Sequence, residues 1–171
     1  MKNYLTVLLL ILVTFSCTSK KENETQVVAN EDALNPVGIV SDGKYHIIEL
    51  EKNKPKWIAS LKENFGLTEN ASFSGFEIVK TTSLGDSTED CYLLLTHIDS
   101  FSTIAVLLQF KDEKLYFDTD SSGKKRASQA IMCKGKSAAP GCNPAVVVNN
   151  KQKQLVCSDN GCEKVVSEMS F

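Results

Sequence analysis

CYLLLTHIDSFSTIAVLLQFKDEKLYF, residues Cys91–Phe117, decides the fold. Its first run, Cys91 to Ile98, is apolar on both faces, the pattern of a central strand covered from two sides. The second run, Thr103 to Phe110, alternates, with Ile104, Val106, Leu108 and Phe110 on one side. Leu115 to Phe117 makes a short third strand at an edge. The connections Asp99–Ser102 and Lys111–Lys114 have hairpin length, so the stretch reads as an antiparallel meander.

Upstream, Phe76 to Thr81 adds a further strand. Before it lies a helix. Pro55 suits a first helical position, Gly66 suits a C-terminal cap, and Trp57, Ile58, Leu61 and Phe65 share one face. A helix this short is held by packing rather than by propensity, so that face is expected against the sheet. Val37 to Val40 and Tyr45 to Leu50, separated by Ser41-Asp42-Gly43, form an expected hairpin. The fold class is therefore α+β: one short helix packed on an antiparallel β-meander, with a C-terminal β-hairpin stapled by disulfides.

The staple comes from the tail. Cys133, Cys142, Cys157 and Cys162 are separated by eight, fourteen and four residues. Zinc sites space their cysteines two to four apart, twice over, and thiol–disulfide exchange uses Cys-x-x-Cys. Neither spacing is present, so disulfides are expected, with a thiol-metal site in the tail as an alternative. Four cysteines allow three pairings. If Asn149-Asn150 is a tight turn, Val148 faces Lys151 and Cys142 faces Cys157, leaving Cys133–Cys162 outside. A local scheme, Cys133–Cys142 and Cys157–Cys162, competes and is preferred, because Ser158-Asp159-Asn160-Gly161 is a turn that draws its flanks together. Cys91 lacks a partner and reads as a buried free thiol.

At the other end, Lys2 precedes an apolar run from Tyr4 to Phe15, then Ser16 and Cys17. The run is shorter than the roughly 20 residues a membrane-spanning helix needs. Residues 1–17 resemble a bacterial lipoprotein signal peptide with a loose lipobox, Thr14-Phe15-Ser16-Cys17, of the kind found in Bacteroidota. On that signal peptide and lipobox alone, the protein resembles a small Bacteroidota lipoprotein. That resemblance implies acylation at Cys17, a membrane partner through the lipid anchor, and outer-membrane localisation on the periplasmic face or at the cell surface. Thr18 supports the outer membrane, since an Asp after the lipidated cysteine retains such proteins at the inner one. Asp86-Ser87-Thr88, in the polar loop Ser83–Asp90, resembles a Bacteroidota O-glycosylation sequence, which implies a glycan on Ser87. The expected organisation is a signal peptide at 1–16 and a lipidated cysteine with flexible tether at 17–35. An α+β domain follows at 36–126, with a cysteine-rich extension at 127–171 packed on the same domain.

Nineteen basic against twenty-one acidic side chains give a net charge of −2. This, with Lys124-Lys125-Arg126 as the one basic run, argues against a nucleic-acid partner. Asp118-Thr119-Asp120-Ser121-Ser122-Gly123 matches the first half of a calcium loop. Basic residues follow it, and Gln129 stands where a bidentate Glu is needed, so no metal and no cofactor are expected. His97 lies six residues from Cys91 on one strand, roughly 20 Å away, which excludes a dyad within that strand. No catalytic residues are assigned. The expected function is a non-enzymatic outer-membrane lipoprotein that binds an envelope or extracellular protein or a small ligand. The alternatives are a cell-surface inhibitor or immunity-type protein, and an envelope hydrolase built around His46 or His97.

Overall fold

The computed structural model describes residues 35–117, 128–135, 142–159 and 161–169. The signal peptide, Cys17, nearly all of the tether, and the segment 118–126 with its calcium-like and basic stretches lie outside the described residues.

β1 (Gly38–Ser41) and β2 (Lys44–Ile47) form the first hairpin. Asp42 and Gly43 both take positive φ in its two-residue turn, the mirror-image turn whose twist suits the strands. The helix α1 spans Leu50–Phe65, starting earlier than Pro55, and β2 stops at Ile47 rather than Leu50. Leu50 packs on the core, which draws the helix start back. Pro55 then sits inside the helix, where it lacks the N–H that the Glu51 carbonyl would accept. Gly66, at φ 61°, ends the helix in the left-handed conformation that glycine adopts without strain.

β3 (Glu77–Thr82) leads into the two-residue β4 (Leu84–Gly85). β5 (Asp90–His97), β6 (Ser102–Lys111) and β7 (Lys114–Phe117) make the meander. β3 pairs with β5, and β1 pairs with β7. β6 serves two partners on one edge: β7 along its second half and β8 (Ser128–Lys134) along its first. β9 (Pro144–Asn149) and β10 (Gln152–Cys157) form the C-terminal hairpin, and β11 (Glu163–Met169) pairs with β8. β4, β8 and β11 are strands that the sequence pattern does not mark. The tail thus contributes two strands to the main sheet and one hairpin to its face.

The order β3-β5-β6-β7-β1-β2 curls until β2 lies against β3 without pairing to it. The curl encloses one core. Trp57, Leu61 and Phe65 of α1 meet Ile78, Leu94, Ile104, Val106, Leu108 and Leu115 of the sheet, with Met132 and Met169 from the tail strands. Burying each such large apolar side chain contributes about 1.5–3 kcal/mol. Trp57 stands edge-on to both Phe76 and Phe117, with centroids 5.4 and 5.9 Å away.

Gly38 is where β1 lies close against β2 and β3. A Cβ there would come within 2.4 Å of Ile78 Cδ1 and 2.9 Å of the His46 carbonyl oxygen. The isoleucine can swing aside, but the paired backbone cannot. We expect Gly38→Ala to destabilise the fold by about 1–3 kcal/mol, measured by urea unfolding; an unchanged midpoint would mean that β1 has more room against β3 than the curl implies.

The opposite face of the sheet is also covered, as the apolar pattern of β5 requires. Cys91, Leu93, Ala105, Leu107, Ile131 and Cys133 on that face pack against Val146 and Leu155 of the hairpin. β9 carries β4 in parallel on its outer edge. The fold is α+β: a helix on one face of an antiparallel sheet, and a disulfide-stapled hairpin on the other.

Candidate functional site

The hairpin fixes the site, and its register corrects the expected disulfides. The turn is Asn150-Lys151, both at positive φ, so Asn149 faces Gln152 and Cys157 faces Pro144. Moving the turn by one residue from Asn149-Asn150 takes Cys142 past the end of the ladder. Neither expected scheme forms. The bridges are Cys133–Cys157, from sheet to hairpin, and Cys142–Cys162. Leu155 and Cys157 alternate inward on β10, so Cys157 lands over Cys133, which shares a sheet face with Ile131. The preferred local scheme fails because β8 and β10 belong to different layers and meet through packing. The four tail sulfurs are bonded to one another, so none is a thiolate available to metal.

Cys91 is the free thiol, 1% exposed at the start of β5. Burial pushes its pKa up and holds it protonated at neutral pH, against the pull of nearby Lys153. His97 pairs with Thr103 across the sheet, and Thr103 pairs with Cys133. Cys91 is therefore six strand positions from the level of the nearer bridge, roughly 20 Å along the strand. This separation keeps the thiol away from disulfide exchange in the folded protein.

Lys153 also points inward, next to Cys91. Its Nζ lies 2.9 Å from Glu89 Oε2 and also reaches the cysteine sulfur. Burial is the largest single influence and works against the lysine charge, but the hydrogen bonds and charges of Glu89 and Cys91 together outweigh it, and the pKa is raised. The same hydrogen bond lowers the pKa of Glu89. The link is therefore intact above the ordinary glutamate range and is lost as the pH falls through the lowered value.

Asp86 Oδ2 accepts the Asn150 N–H at 2.8 Å, tying the hairpin tip to the β4–β5 connection. Ser83 shapes that connection. Its hydroxyl donates to the Ser87 carbonyl at 2.9 Å and accepts from the Glu89 N–H at 3.0 Å. Gly85, at φ 96°, brings the chain against the Val148 carbonyl, where a Cβ would lie 2.5 Å from the oxygen. Ser87 itself is exposed, with Oγ 3.3 Å from Glu89 Oε1. The Ser83–Asp90 segment is thus a braced corner that carries β4.

On the other flank, the Leu155 N–H donates to Gln129 Oε1 of β8 at 2.8 Å. Between these two braces the hairpin tip overhangs the sheet and leaves an open cleft of about 660 Å³. Lys151, Gln152 and Lys153 form its roof. Leu107 and Gln109 of β6 form the floor, and Glu89 lines it on the side of the β4–β5 corner. Gln129 and Glu168 line the opposite wall. These residues come from four strands, one loop and the hairpin turn, far apart in sequence. The sequence points to the tail hairpin and the loop Ser83–Asp90 as contact surfaces, which covers Glu89, Lys151, Gln152 and Lys153, but nothing in its pattern marks Leu107, Gln109 or Glu168, and Gln129 figures there only as a failed calcium position.

The histidines lie elsewhere. His46 is exposed on β2. His97 Nδ1 is 2.9 Å from Thr103 Oγ1, and its Nε2 is 3.8 Å from Glu77 Oε1. The order carboxylate–imidazole–hydroxyl is that of a relay, but Thr103 is 6% exposed within β6, beside the Cys133 strand. A substrate would have to part the sheet to reach it. At the end of the enclosed core near the β1–β2 turn, Tyr92 stacks on Phe110 at 4.9 Å and meets Tyr45 edge-on at 5.7 Å. Phe110 remains 42% exposed. Among the described residues there is no cluster of three or more metal-ligating side chains, and no helix long and apolar enough to cross a membrane. Comparison with protein-family models, with curated proteins and with solved structures finds no match.

Proposed function

We propose that the protein is a non-enzymatic lipoprotein of the outer membrane, held through acylated Cys17, that binds a ligand with its hairpin-bearing face. The observation that carries this reading is the pair of disulfides, Cys133–Cys157 and Cys142–Cys162. Such bridges form and persist in oxidising compartments, the destination that the Tyr4–Cys17 signal implies. They also clamp the hairpin over an open polar cleft, and a rigid scaffold carrying such a cleft suits binding. Two of the described groups that could do covalent chemistry are closed off. The Cys91 thiol is buried and protonated, and the Thr103 hydroxyl lies inside the sheet.

The compact meander and tether suit the inhibitor alternative, and a protruding apolar hairpin at Ala145–Val148 would favour it. Val146 and Val148 are instead buried against the sheet, which counts against that alternative.

The test is acylation. Cells expressing the full chain are given radiolabelled palmitate and fractionated, beside cells expressing Cys17→Ser. Label and membrane sedimentation are expected for the wild type and lost together in the variant. Unlabelled wild-type protein in the soluble fraction would overturn the reading.

A further inference from the structure

We propose that the cleft under the hairpin tip binds a short zwitterionic peptide in extended form. This deepens the binding reading above and rests on it. Three features of the cleft select the ligand class.

The first is charge. Lys153 is neutralised by Glu89, which leaves Lys151 on the roof and Glu168 on the far wall. Neither of those two makes an ion pair among the described residues. Lining that balances in sum but is split between two walls disfavours polyanions such as nucleotides. It fits a ligand with a carboxylate at one end and an ammonium at the other.

The second is the free edge of β10. Asn149 and Gln152 flank the two-residue turn and bond to each other, so the backbone groups of Lys153 and Leu155 face away from β9. The Leu155 N–H is capped by Gln129, a side chain standing in for a strand. Lys153 lies on the same edge, with its N–H and C=O unpaired among the described residues. An exposed strand edge recognises extended peptide backbone by main-chain hydrogen bonds.

The third is the amide content. Gln109, Gln129 and Gln152 line the cleft, and a primary amide both donates to and accepts from a peptide bond. Gln129 spends its oxygen on Leu155, which leaves its nitrogen to donate. A volume of about 660 Å³ suits a small ligand of a few residues.

The experiment is calorimetric titration of the full lipidated chain, in detergent, with trialanine and with N-acetyl-trialanine amide. Trialanine is expected to bind one to one, and the capped peptide roughly tenfold or more weakly, as loss of charge-assisted contacts implies. Lys151→Asp, chosen because Asp tolerates the left-handed turn, and Glu168→Lys are each expected to weaken trialanine binding by a similar factor. The double variant restores it, because the peptide can bind reversed. No heat with trialanine, equal affinity for both peptides, or single variants that bind as the wild type does would each overturn the proposal. Acylation of Cys17 is read separately, so an anchored protein that ignores trialanine sinks the peptide site and leaves the lipoprotein reading standing.

Discussion

Replacing Cys133 and Cys157 together by alanine is expected to lower the unfolding free energy by about 3 kcal/mol or more. The bridge closes a loop with a sequence separation of 24, and restricting the unfolded chain by that much is worth about 3 kcal/mol. Packing adds to it. Cys133 is fully buried between Ile131 and the hairpin, so shrinking its side chain also costs contacts. The Cys142–Cys162 bridge closes a loop of similar size, 20, but both its cysteines are partly exposed. Chain entropy alone predicts nearly equal losses for the two double variants. Packing predicts the larger loss for the first pair. Thermal unfolding without reductant reads the difference, with a drop of roughly 10 °C for the first pair in a domain of this size. A first-pair variant as stable as the wild type would mean that the hairpin docks independently of its staple.

Trp57→Ala should match or exceed that loss, at about 3–5 kcal/mol. Trp57 is 5% exposed and meets Phe76, just before β3, and Phe117, at the end of β7. Its loss leaves a cavity bounded by helix on one side and paired strands on the other, and neither can collapse readily. Trp57→Phe should cost clearly less, because one ring remains to fill the space. Trp57 is the sole tryptophan, so circular dichroism rather than fluorescence is the probe. A loss below about 1 kcal/mol for the alanine variant would place the helix outside the core, contrary to its packing.

These two sites differ in how openly the sequence declares them. Trp57, Leu61 and Phe65 announce a helix face through their spacing, and β5 and β6 announce themselves through apolar density and alternation. Local pattern suffices there because the core dictates it. β8, Ser-Gln-Ala-Ile-Met-Cys-Lys, shows no period because both of its faces are buried, by the helix on one side and the hairpin on the other. β11 hides its inward Val165, Ser167 and Met169 among charged neighbours. The helix start was misplaced because Pro55 marks an N-terminus in general, whereas here the packing of Leu50 sets it. The disulfides were beyond local reasoning altogether. Their pairing depends on a one-residue choice of turn and on one sheet lying over another. The cleft is legible only in its hairpin and loop, since Gln129 and Glu168 become neighbours of Lys151 only once the layers are stacked.

The two bridges interlace: each encloses one cysteine of the other, in the order 133, 142, 157, 162. A single peptide bond cut anywhere between Cys133 and Cys162 therefore leaves the two pieces covalently joined. A nick between Cys142 and Cys157, where the hairpin turn is exposed, is spanned by both bridges at once. A protease that cleaves at Asn150-Lys151 would clip the tip without releasing either arm, and the sheet would keep its covering layer.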